Sequence, residues 1–183
     1  MNPFDQTVSI GTRNVPLATV QWLQSVPWQL FATLEFPYLR TRYEPARLKF
    51  AEMVNTVERS LRTRLGYLYA METRSKSGAV VPLHFHAAFT AIRPIPDWLV
   101  AGVWNQAVGR SNSVGGDLAL VEPYDPSMGG IEYIVKQVGD PNCEWDCRNV
   151  HLFSNSIQLE PKSDHASLRS ARRWQQQVSI AAA

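Results

Sequence analysis

The chain has 183 residues, 45% hydrophobic and 19% charged, a composition that supports a packed core and excludes a wholly disordered polymer. That length fits one domain with little room for a second. Formal net charge is only +2, from 18 basic and 16 acidic side chains, which argues against a protein held to nucleic acid by bulk charge alone.

Residues 1–26 read as an irregular or loosely helical lead-in, because Pro3, Gly11 and Pro16 interrupt any long pattern. From Trp28 to Phe36 an aromatic and apolar run stopped by Pro37 reads as a buried strand. After Pro45, the apolar residues Phe50, Met53, Val54, Val57 and Leu61 follow helical spacing. Residues 67–72 and 82–91 read as two strands joined by a turn centred on Gly78. Pro96 and Asp97 open a helix with the stripe Leu99, Val100, Val103, Trp104, Ala107 and Val108. A loop with Gly115 and Gly116 leads into a short strand over 117–124. A helix over 131–138 follows and is ended by Gly139-Asp140-Pro141. The reading closes with a last strand at 150–153 and a polar helix at 164–177 that carries Arg169, Arg172 and Arg173. The order β-α-β-β-α-β-α-β predicts an α+β domain, a central and largely antiparallel sheet of about five strands with packed helices.

No apolar run reaches the length of a membrane span, so no membrane partner is expected. The first residues lack a basic-then-apolar leader pattern, and a secreted route is not expected. Cys143 and Cys147 are too few for a disulfide scaffold, which points to a reducing compartment. Their three-residue spacing has no second Cys/His pair to complete a structural zinc site. Of the 18 basic residues, 14 are arginine, the type suited to forked contacts with phosphate.

The segment richest in chemistry is Leu83-His84-Phe85-His86. On a strand, alternate residues share a face, so His84 and His86 point together while Leu83, Phe85 and Phe89 face the core. Two imidazoles so placed make a pincer for a divalent metal; two histidines on a wet sheet face are the bland alternative. A turn centred on Gly78 puts Glu72 directly across from His84, on the same face. A one-residue slip would send Glu72 to the other face instead. Ala70 and Ala88 would share the site face and leave space open above the ion. On the helix over 131–138, Ile131, Ile134, Val135 and Val138 form the apolar stripe, and Tyr133, Lys136 and Gln137 lie together on the other side. A tyrosine with a lysine at i+3 is a candidate nucleophile, the ammonium favouring phenolate or holding a phosphate.

Three signatures in this order resemble the HUH endonucleases, in particular the single-tyrosine initiator (Rep) proteins of rolling-circle replication. They are the apolar strand Phe31–Phe36 with its central Thr33, the pair His84-Phe85-His86, and Tyr133-Ile134-Val135-Lys136 on a later helix. The resemblance implies an N-terminal extension at 1–26, an HUH nuclease domain at 27–160, and a C-terminal polar helix or tail at 161–183. It implies a covalent 5′-phosphotyrosine link made by Tyr133, with Lys136 positioning the phosphate. It also implies Mg²⁺ or Mn²⁺ on His84, His86 and Glu72, with Gln137 as the competing third ligand found in related transposases. Single-stranded or hairpin origin DNA is the implied partner, in the cytoplasm of a bacterial, plasmid or phage setting. No Gly-x-x-x-x-Gly-Lys-Ser/Thr is present, so unwinding is assigned to a host helicase or to residues outside this chain. Arg40, Arg42 and Arg110 are the candidate DNA contacts. The alternatives are a single-tyrosine HUH transposase and, from the binding class, a non-cleaving nucleic-acid-binding module of the same fold. A cupin-type metalloenzyme is disfavoured, because no glutamate follows His86 before Pro94.

Overall fold

The computed structural model describes residues 7–10, 13–37, 41–74, 78–109, 118–138 and 143–153. Arg40, Arg110 and the helix read at 164–177 lie outside the described residues. The element order begins with a small hairpin, β1 (Thr7–Ile10) and β2 (Arg13–Pro16), and the helix α1 (Leu17–Gln24). There follow β3 (Leu30–Glu35), α2 (Tyr43–Leu61), β4 (Leu65–Arg74), β5 (Val80–Ala91) and α3 (Asp97–Ala107). The last elements are β6 (Ala119–Pro123), α4 (Gly130–Gln137) and β7 (Glu144–Arg148). Five strands make one sheet in the order β6-β3-β5-β4-β7, antiparallel at every pairing, so the domain is α+β.

Strand alternation gives the sheet two different faces. On one face Leu34, Met71, Leu83, Phe85 and Phe89 join Phe50, Met53 and Val57 of α2 and Val100 and Trp104 of α3 in the larger core cluster. Phe50 and Phe85 lie at its centre, with ring centroids 4.9 Å apart. The indole of Trp104 packs edge-on to Phe36 and Phe85 and donates to the Glu35 carbonyl at 3.0 Å, which ties α3 to the end of β3. On the other face Leu68, Ala70 and Ala88 meet Ile131, Ile134 and Val135 of α4 and Val20 and Leu23 of α1. Residues 17–26 are therefore more regular than the lead-in expected there. Val20, Leu23 and Val26 are buried, and Gln24 bonds Glu132 of α4.

Two further sequence readings change. The final strand is Glu144–Arg148, paired with β4, and Val150–Leu152 form a 3₁₀ turn rather than a strand. Asn149, held at φ 57°, turns the chain out of the sheet, and its side chain donates to the Leu65 carbonyl at 3.0 Å. Ala70 and Ala88 do not leave open space: both are fully buried beneath the α4 cluster. Their small size lets the helix approach the sheet.

Gly130 serves the same approach at the start of α4. A Cβ there would sit 2.8 Å from the Phe31 ring, closer than carbon atoms pack. Gly130→Ala should therefore displace α4 from the sheet and cost about 1–3 kcal/mol, despite the better helix propensity of alanine, measured by denaturant unfolding.

Candidate metal centre

The β4–β5 register pairs Glu72 with His84 and Ala70 with His86, which puts the carboxylate beside the two imidazoles. One ligand atom from each of Glu72, His84 and His86 lies within 4.8 Å of the others. His84 Nε2 faces Glu72 Oε2 at 3.9 Å, and all three side chains are partly shielded from solvent. The ring orientations are set from behind. His84 donates through Nδ1 to the Pro82 carbonyl at 3.0 Å, which leaves Nε2 as its metal-facing nitrogen. His86 Nδ1 shares a hydrogen bond with Thr33 Oγ1 at 3.2 Å. Thr33 stands opposite His86 in the β3–β5 register, so the threonine of the first signature acts as an orienting partner of the second histidine.

These donors fit a divalent ion. Among the described residues no hydrogen bond reaches the buried Glu72 Oε1, an arrangement that a cation would relieve. Two imidazoles and one carboxylate, all on one side, are a donor set that could hold a divalent ion and leave it open positions.

Tyr133 reaches the same place from α4. Its ring packs edge-on to His86 with centroids 4.7 Å apart, and its hydroxyl donates to Glu72 Oε2 at 3.4 Å. Burial, the Glu72 charge and that hydrogen bond push the phenol up to about 12. Lys136 is exposed in the last turn of α4, while burial first, and then Glu72, raises the hydroxyl. Gln137, at the end of α4, is partly buried; the carboxylate beside the histidines is Glu72. Arg42 stands exposed at the N-cap of α2, in the layer against the opposite face of the sheet.

An open cleft of about 300 Å³ runs beside the cluster, lined by Glu35, Glu72, Arg74, Pro82, His84 and Tyr133 among others. Glu35 and Arg74 escaped the sequence reading. Glu35 is the β3 partner of His84, and only the register between strands some fifty residues apart brings it there. Arg74 shares the Glu72 face of β4 by strand period, a signal that was available but had no second feature to mark it. Trp145 is half-buried on β7 and packs with the α1–α4 cluster.

No family model, no curated protein and no solved structure matches the chain.

Two outcomes follow from this geometry. Glu72→Gln removes the neighbouring charge, so the metal-free protein should show the Tyr133 titration moving down from about 12 toward the ordinary tyrosine value of 10, read as phenolate absorbance against Tyr133→Phe. Thr33→Val should weaken Mn²⁺ binding about tenfold by calorimetry, because the His86 ring loses its orienting partner.

Proposed function

We propose that this chain is a metal-dependent nicking and joining enzyme for single-stranded DNA, of the kind that initiates rolling-circle replication through a covalent tyrosine intermediate. The observation that carries this reading is the convergence of three elements on one cleft. Tyr133 of α4 bonds Glu72 of β4 and packs against His86 of β5, and Tyr133, Glu72 and His84 line the cleft. The order of the three sequence signatures supports the same reading.

Tyr133 is the nucleophile in this proposal. Its oxygen attacks phosphorus in line, an O–P bond to the tyrosine forms, and the bond from phosphorus to the 3′ oxygen breaks. The strand then carries a 5′-phosphotyrosine link and a free 3′-hydroxyl. The hydroxyl proton leaves toward Glu72 Oε2, the acceptor it already faces, and the departing 3′ oxygen gains a proton from solvent. A divalent ion on Glu72, His84 and His86 would supply Lewis-acid polarisation of the scissile phosphate. Because the phosphodiester energy is kept in the link, reversal rejoins the ends without a nucleotide cofactor.

The local character of the site agrees with the charge of +2, since few phosphates are neutralised at once and an unpaired, bendable strand reaches a recessed tyrosine more readily than a duplex. No helix among the described residues is long and apolar enough to cross a membrane.

Incubation with single-stranded oligonucleotides and Mn²⁺ should give an adduct that survives denaturation. Tyr133→Phe should abolish that adduct while retaining Mn²⁺ and oligonucleotide binding, and chelation should abolish it reversibly in the parent. An adduct that persists in Tyr133→Phe would defeat the assignment of the nucleophile.

A further inference from the structure

The residues that form the cleft raise a question of charge. Two carboxylates, Glu35 and Glu72, line it, and a nucleic-acid backbone entering there is itself anionic. Lys136, the cation assigned to phosphate by the sequence resemblance, is exposed on the last turn of α4 and is not among the residues lining the cleft. The cation that does line it is Arg74.

The position of Arg74 follows from the hairpin. Two residues beyond Glu72 on β4, it shares the Glu72 face. Past the Glu72–His84 pair the register shifts, so that Arg74 pairs with Val80 and β5 spends four residues where β4 spends two. Pro82, which has no N–H for the ladder, lies in that irregular stretch. The Arg74 guanidinium donates to the Gly78 carbonyl at 3.0 Å, a bond that fixes it over the hairpin end of the cleft and uses one of its five N–H donors. Among the described residues, the ion pairs of the protein do not include Arg74, although two carboxylates line the same cleft. Its remaining donors have the planar fork that matches two oxygens of a phosphodiester.

We infer that Arg74 grips a backbone phosphate of the strand bound in this cleft and so positions the chain for Tyr133. This inference rests on the single-strand reading above. It assigns the phosphate-holding role to the β4–β5 hairpin rather than to α4.

The test is binding of a short labelled oligothymidylate at fixed Mn²⁺ over a series of salt concentrations, in a Tyr133→Phe background. Arg74→Gln keeps a donor for the Gly78 carbonyl but drops the charge. It should weaken binding about tenfold at low salt and reduce the slope of log Kd against log salt by about 0.7, the value for one phosphate contact on a single strand. Arg74→Lys should keep most of the slope. If Arg74→Gln binds with the affinity and slope of the parent, the inference is overturned and the side chain serves only the hairpin. Adduct formation, assayed separately, tells the two claims apart. A reduced slope in Arg74→Gln with no adduct from the Tyr133 protein upholds Arg74 and removes the nicking reaction. An adduct with an unchanged slope does the reverse.

Discussion

The pairing of Glu72 with His84 is the constraint on which the rest of the site depends. Side chains alternate along a strand with period two, so a slip of one residue between β4 and β5 would carry the carboxylate to the far side of the sheet. What prevents the slip is the opposite face. Met71, Leu83 and Phe85 are fully buried there against Phe50 and Trp104. Moving either strand by one position would expose those residues and bury a histidine or a glutamate among aromatic rings. Each large apolar side chain withdrawn from water contributes about 1.5–3 kcal/mol, so several together outweigh any local preference of the polar face. The hydrophobic core thus sets the geometry of the Glu72, His84 and His86 cluster from the opposite face of the sheet.

The tyrosine arrives by an independent route. α4 is held to the sheet by Ile131, Ile134 and Val135, packed over Ala70 and Ala88, and Gly130 lets its first turn lie against the Phe31 ring. α1 packs in the same cluster, and the bond from Gln24 to Glu132 joins the two helices. Tyr133 is thereby placed at the edge of the buried stripe, near enough to contact His86 and Glu72 and still open to the cleft. One carboxylate serves both the tyrosine and the histidine cluster. Burial and the Glu72 charge keep the proton on the phenol oxygen.

Charge is arranged on the same local scale. The chain as a whole is nearly neutral, and on α2 Arg47 pairs with Glu44 and Lys49 with Glu52. Such exposed pairs contribute little to stability. Around the cleft the balance is different, with two carboxylates, two imidazoles and one guanidinium within a small space. Recognition in such a place depends on a few directed contacts rather than on a broad field.

The sequence by itself determined the α+β class, the α2 and α3 stripes, the histidine face of β5 and the apolar stripe that leaves Tyr133 off the core side of α4. These are local: a period of two or 3.6 is written in adjacent residues, and a single short hairpin joins the strands of Glu72 and His84. The true last strand was missed because Glu144–Arg148 alternates polar residues with Trp145 and Cys147, and only pairing with β4 makes a strand of it. Val150, His151 and Leu152 look more like a strand, yet Asn149 turns them away. Tertiary structure alone decided that Thr33 orients His86, that Glu35 and Arg74 enter the cleft, and that burial and Glu72 raise the tyrosine hydroxyl. Each of these is a contact between segments whose approach depends on how helices and strands pack, and the free energy of that packing is spread over the whole core, where no short stretch of sequence records it.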